Sequence, residues 1–345
     1  MKKYIPFRMT RFPLSFLLDR RTAVVTGILL LLTFAAMVIS LGSGTKVISP
    51  WNVIKVLFGF GSGADELIVN KLRMPRILVG VMVGSSLAVA GAILQGMIRN
   101  PLASPDIIGI TGGASVTAVV FLSTFTGASI HLLPLAAFCG AFVVTLGIYL
   151  LAWKSGVSPV RLVLIGVGIG TTMSALTTLS ITTMSEFVTN KALIWMTGSI
   201  YGASWKNVLA LLPWTVLFLP LSLIFARNIN LQMLGDDVAA GAGSRVQRDR
   251  LLLLFICVAL AGSAVAFGGA IGFVGLIAPH MARKLVGPSF GGLLPVTALL
   301  GSFIVVVADW LGRTAFPPLD LPVGLFTSLI GAPFFIYLLV KERNQ

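Results

Sequence analysis

The chain has 345 residues, 57% of them hydrophobic and only 10% charged, against roughly a quarter charged in ordinary soluble domains. So few charges cannot clothe a water-soluble globule. The net charge of +14 would suit a nucleic-acid binder, but the basic residues are scattered among short segments rather than gathered on one face.

No Asp, Glu, Lys or Arg occurs in residues 22–45, 77–98, 107–153, 162–185, 207–226, 251–282, 285–308 or 321–340. About 20 apolar residues cross a bilayer core as a helix, and a helix satisfies its own backbone there. The fold class is therefore all-α: a polytopic membrane protein with about ten transmembrane helices. Residues 1–21 form a basic N-terminal segment, and residues 22–345 form a single transmembrane domain. The first run lacks a small-residue cleavage site and is expected to be a retained span at 22–42 rather than a signal peptide. The next spans are expected at 76–97, 107–125 and 132–153, the 47-residue run being broken at Gly127–Pro134. Spans at 161–184 and 207–226 follow, with residues 187–205 as an extra surface or partly re-entrant stretch. Gly268, Gly269 and Gly272 interrupt the 251–282 run, so one full helix at 249–267 and a short or irregular one at 271–286 are expected. Spans at 292–312 and 321–340 complete ten.

Ten spans put both termini on one side. With that side cytoplasmic, 17 of the 25 lysines and arginines lie inside and 8 outside, the bias that membrane insertion imposes. The segment at about 230–250, between spans six and seven, is then cytoplasmic. It gathers Asp236, Asp237, Arg245, Arg248, Asp249 and Arg250 into a chain that is otherwise poor in charge.

Several chemistries are missing. There is no Gly-x-x-x-x-Gly-Lys phosphate loop, and His131 and His280 are too few for a histidine metal site. Cys139 and Cys257 sit alone in apolar runs. Glu186, Asp309 and Asp320 fall at span ends, so no carboxylate lies at mid-membrane where ion-coupled carriers keep one. The pattern is that of a passive pathway powered by another subunit. Its rivals are an ion-coupled secondary transporter working alone and a membrane anchor without a pathway.

Four constellations stand out. Asn100 and Pro101, with Pro105, end one helix and start the next, and a tight turn explains them as well as a specific role does. Arg73, Arg76 and Arg313 lie on the outer side, where docking of a partner's carboxylates and snorkelling to headgroups are equally open readings. Pro279 and His280 sit near the inner end of the eighth span, the histidine reading as a hydrogen-bonded structural residue or a ligand. Thr171, Thr172, Ser174 and Thr178 belong to a hydroxyl-rich fifth span, either glue between helices or a wet face for a polar solute.

Together these stretches resemble the FecCD-type permease family of ABC importers for iron–siderophores, haem and cobalamin. The resemblance is carried by Arg73-Met-Pro-Arg76, Gly91 with Gln95, Asn100-Pro-Leu-Ala103, Gly109 with Gly113, and Leu234-Gly-Asp-Asp237 with Ala239. It continues through Gly272-Phe-Val-Gly-Leu276, Pro279-His280, Arg283, Asp309, Arg313, Leu321-Pro-Val-Gly324 and Gly331-Ala-Pro-Phe334. It implies a type II ABC importer permease fold in the bacterial cytoplasmic membrane, paired with a second permease subunit, identical or not. Two cytoplasmic ATPase subunits would bind ATP and magnesium below, this chain binding no cofactor, and an extracellular or periplasmic substrate-binding protein would dock above. The resemblance assigns Gly235, Asp236, Asp237 and Ala239 to ATPase coupling, Arg73, Arg76 and Arg313 to binding-protein docking, and the fifth span to the pathway. It also implies an iron(III)–siderophore cargo, the commonest task in the family, with cobalamin or haem as alternatives. One departure is Pro288-Ser289-Phe290 where the family often has an acidic residue followed by histidine, and Asp236-Asp237 stands where many relatives read Asp-Glu.

Overall fold

The structure is a computed structural model describing residues 4–8, 15–44, 46–61, 63–125, 132–154 and 156–343. It opens on a feature that the sequence did not announce: β1 (Tyr4–Arg8) and β2 (Ser15–Asp19) pair antiparallel, Tyr4 opposite Asp19 and Arg8 opposite Ser15. The rest of the secondary structure is helical. Asp19 caps α1 (Arg20–Gly42) by accepting from the Arg21 amide at 3.4 Å.

Two short helices, α2 (Pro50–Leu57) and α3 (Ala64–Leu67), occupy the first loop. A π-helical turn, Ile68–Arg73, joins α3 to α4 (Met74–Ile98), making one helix 35 residues long over Ala64–Ile98. Pro75 sits in the first turn of α4, where its missing N–H costs nothing. After a 3₁₀ turn at Pro105–Ile108 come α5 (Ile110–Thr124), α6 (Leu133–Ala152) and α7 (Pro159–Thr182). The break expected at 127–134 coincides with the gap between α5 and α6; it and His131 lie largely outside the described residues. Then follow α8 (Glu186–Met196), α9 (Trp205–Ile224), α10 (Ala226–Met233), α11 (Asp236–Gly241) and α12 (Val246–Gly268). The chain closes with α13 (Val274–Val286), α14 (Phe290–Thr314) and α15 (Val323–Arg343).

Among the described residues, seven helices are long and apolar enough to cross a membrane: α1, the fused helix containing α4, α6, α7, α9, α12 and α14. Helix α5 and the Val323–Tyr337 part of α15 are shorter apolar helices, and the 13-residue α13 takes the place of the short or irregular helix expected at 271–286. The glycine interruption behaves as its sequence suggests. Gly269 (φ +70°) ends α12, and Phe273 in the left-handed region (φ +67°) starts α13. The 187–205 stretch begins with α8, in which only Ala192 is buried, and Ile200 beyond it is 1% exposed.

Helix α4 is the axis. Of its most apolar stretch 89% is buried, against 17% for α7. It packs on α14, α12, α13 and α9, while α5, α6 and α7 form a second group joined to it through α12. Small residues permit this. A β-carbon on Gly91 would lie 1.8 Å from the Gly275 carbonyl oxygen, and one on Gly84 would lie 2.3 Å from that of Gly301. Lipid offers no hydrophobic force between helices, so such backbone approach is what packs them.

Candidate functional site

Charge collects at the two ends of the bundle. At one end, the last turn of the π segment and the first of α4 carry Arg73 and Arg76, both 8% exposed. Arg73 donates from Nη1 to the Leu41 carbonyl and from Nη2 to the Lys46 carbonyl, each at 2.6 Å. Arg76 grips Asp320 with both Nη atoms (2.6 and 2.7 Å) and Asp309 through Nε (2.8 Å). The Tyr201 ring lies over the same guanidinium at 5.5 Å. Arg313 closes the cluster, with Nε 3.2 Å from the other oxygen of Asp309 and Nη2 bound to the carbonyl (3.0 Å) and hydroxyl (2.5 Å) of Ser40. Two arginines and two aspartates thus neutralise each other where α1, α4 and α14 meet, in the planar, bidentate geometry that guanidinium favours.

The three arginines expected to face a docking partner are therefore turned inward and paired within the chain, with Nε of Arg313 and the second oxygen of Asp309 standing 3.2 Å apart as an ion pair without a formed hydrogen bond. Asp309 and Asp320 are the ion-pair partners of these arginines, where sequence reading has both as span-end carboxylates and Asp309 also among the residues that carry the family resemblance. The i,i+4 spacing of Asp309 and Arg313 was the available signal for the first, and nothing local marked the second. The exposed cations near this end are lysines, among them Lys46, Lys71, Lys191 and Lys206, with Lys46 paired to Asp65 at 2.6 Å.

At the other end lies the charged segment. Gly235 adopts φ +110°, a conformation that a side chain would strain, and so turns the chain from α10 into α11. Asp236 opens α11, and both its oxygens accept from Nη2 of Arg250 (2.9 and 3.0 Å); Nη2 of Arg99, at the end of α4, stands 3.5 Å away. Arg250 is 1% exposed and also donates to the Val157 carbonyl. Asp249 accepts from Asn228 and Ser244, each at 2.7 Å. Ala239 is fully buried under α11. The segment is thus divided. Asp236, Asp249 and Arg250 fasten it to the bundle, whereas Asp237, Arg245 and Arg248, with Leu234 and Val238, face outward.

The turn at Asn100 and Pro101 lies near this end. Asn100 Oδ1 accepts from the Leu102 amide at 2.8 Å, and Arg99 just before it takes the left-handed conformation (φ +57°). Next to it, Gln95, 2% exposed, donates to the Leu276 carbonyl (3.4 Å) and accepts from Arg283 (3.1 Å), tying α4 to α13. Pro279 is buried within α13, and His280 meets Phe334 of α15 edge-on, with 5.9 Å between ring centroids.

Between the ends runs α7. Thr171, Thr172, Ser174 and Thr178 are all exposed, and each hydroxyl donates to the carbonyl four residues back at 2.9–3.1 Å. The hydroxyls bond their own helix, which does not support the glue reading. Gly168 and Gly170 on this helix have open space beside them. The result is an open face on which these hydroxyls, bonded within the helix yet still able to accept, stand among the exposed Leu164, Val167, Leu176 and Leu179.

The sequence matches the profile of the FecCD transport family over residues 30–341. It is 51% identical over 317 residues to the achromobactin transport system permease protein CbrC of Dickeya dadantii, covering 91% of this chain and 90% of that one. It is 50% identical over 333 residues to the "Probable siderophore transport system permease protein YfhA" of Bacillus subtilis, covering 95% and 97%. A solved metal-chelate type ABC transporter in an inward-facing conformation superposes with a TM-score of 0.82 at 31% identity, over 92% of this chain and 99% of that one.

Proposed function

Since the chain belongs to the FecCD transport family of ABC-importer permeases, we propose that it forms half of a pathway admitting an iron(III)–siderophore complex to the cytoplasm. The observation that carries the cargo is its 51% identity, over nine-tenths of its length, with a permease named for a siderophore. The pathway wall is the open face of α7, lined by Thr171, Thr172, Ser174 and Thr178. A second permease subunit, a copy or a paralogue, faces it and covers a helix that would otherwise leave 83% of its most apolar stretch unburied, the complement of the 17% that is buried.

Power comes from outside the chain. Two ATPase subunits hold ATP and magnesium, and this polypeptide binds no cofactor of its own. They seat on the outward face of the charged segment, where Asp237, Arg245 and Arg248 register a polar surface and Leu234 and Val238 add apolar area. Gly235 sets the direction of α11, while Asp236 and Ala239 hold it to the bundle. That end is cytoplasmic in this reading, with both termini, and the arginine end is external. A binding protein docks over the arginine end. There Arg73, Arg76 and Arg313 act as the frame of the docking surface, and a visiting carboxylate reaches Arg76 only by replacing Asp320, the more open of its two acids.

The test is uptake into proteoliposomes holding the assembled transporter, with ATP inside and binding protein outside. Accumulation of a ferric siderophore that requires ATP is the expected result. Accumulation of cobalamin or haem instead would overturn the cargo, and uptake driven by a proton or sodium gradient through this chain alone would overturn the mechanism.

A further inference from the structure

We infer that Arg250 and Gln247 are positioning residues that carry displacement of α11 to the root of α7, an inference that rests on reading α11 as the ATPase contact and α7 as the pathway wall. The two side chains stand three residues apart on α12 and so share one face of its first turns. Between them they take both peptide groups of a single residue in the turn that precedes α7. Gln247 Oε1 accepts from the Val157 amide at 2.9 Å, and Arg250 Nη1 donates to the Val157 carbonyl. The other amino nitrogen of Arg250 holds both oxygens of Asp236 at the start of α11. One guanidinium therefore bridges the outer segment and the turn.

The turn is stiff on the far side as well. Gly156 (φ +110°) lies so close to the Gln247 amide that a β-carbon there would come within 2.7 Å of it. Two residues after Val157, Pro159 opens α7; Ser158 caps that helix by accepting from the Arg161 amide at 3.3 Å. Arg161 in turn reaches back to the carbonyls of Ala152 (3.3 Å) and Lys154 (3.2 Å). Val157 and Arg250 are each 1% exposed, so no water stands ready to replace the bond between them, while the Asp236 side chain is 37% exposed and is held through both its oxygens. A buried group cannot let go of its partner without a large desolvation penalty, so α11 and the root of α7 move together. The Asp236–Arg99 pair, at 3.5 Å and open to solvent on both sides, has no such constraint and can slip.

Spatial continuity alone does not establish coupling, so the test must read coupling itself. In the reconstituted transporter, Gln247→Ala and Arg250→Lys are each compared with the parent for ATPase co-purification, basal hydrolysis and cargo moved per ATP hydrolysed. Gln247→Ala leaves the Arg250–Asp236 pair intact and decides the matter if Arg250→Lys fails to assemble. The expected result is normal assembly and basal hydrolysis with cargo per ATP lowered at least about fivefold, the lower end of ordinary coupling factors. An unchanged cargo-to-ATP ratio in assembled Gln247→Ala, or a fall in hydrolysis and uptake in equal proportion, overturns the relay. Asp237→Lys separates this from the underlying reading. If that outward reversal leaves ATPase association and hydrolysis untouched, the ATPase contact itself is misplaced; if it weakens association while Gln247→Ala is silent, only the relay falls.

Discussion

An arginine at the end of a membrane helix can stay charged by snorkelling to headgroups or by finding acids inside the protein. Arg76 and Arg313 take the second course, and Asp309 is the residue on which both depend. Its side chain is 2% exposed, whereas that of Asp320 is 28% exposed. Removing one member of a buried ion network leaves uncompensated charge and costs about 3–5 kcal/mol, while an open pair contributes about 0–1 kcal/mol. Asp309→Asn should therefore lower the thermal unfolding midpoint in detergent far more than Asp320→Asn does; equal shifts would mean that burial does not set the stakes. Asp320→Asn has a second use. It frees Arg76 for a visiting carboxylate, so binding-protein affinity should rise in a salt-sensitive way. Unchanged affinity would remove Arg76 from docking and leave it a purely internal clamp.

At the scale of elements, α4 and α7 are opposites built from similar composition. Helix α4 spends its glycines on backbone contact with α13 and α14. Gly91→Ala would drive a β-carbon into the Gly275 carbonyl, where two helical backbones rather than a flexible side chain would have to yield. Overpacking of this kind costs about 1–3 kcal/mol or more, and Gly91→Ala should cut the yield of folded permease measured by size-exclusion chromatography. Gly147→Ala in α6, where nothing lies within 4 Å of the added carbon, should leave yield unchanged. Loss from both or neither would deny that the α4–α13 approach matters. Helix α7 bonds its hydroxyls to its own carbonyls and leaves most of its apolar stretch unburied, the face proposed as the pathway wall.

For the whole molecule, the proposed topology puts the start of α1 and the end of α15 at the end that bears the charged segment. Near the start of α1, Arg21 donates at 3.3 Å to the carbonyl of Lys284, in the last turn of α13. The excess of lysine and arginine follows that end, so it should face the cytoplasm. In right-side-out vesicles, a cysteine placed at Gly59 should react with a membrane-impermeant maleimide, and one at Ala242 should not until the membrane is opened. The reverse pattern would invert the orientation and, with it, the sides assigned to ATPase and binding protein.

How much of this could be read beforehand follows from what kind of property each feature is. The membrane setting, the ten helices, the glycine break after residue 268 and the short α13 depend on unbroken apolar length and on Gly and Pro, all of which are written along the chain. The N-terminal strand pair and the short helices of the first loop carry no such mark. Which partner each charge meets is a different matter. Arg76 and Asp320 are 244 positions apart, Arg250 and Val157 are 93 apart, and a run of residue types does not say which faces will be brought together. So the sequence by itself determined the medium, the number of crossings and the family. Only the tertiary structure decided that the arginines turn inward, that half of the charged segment is a fastening, and that the α7 hydroxyls bond their own helix, because each depends on how far apart distant groups lie once the helices have packed.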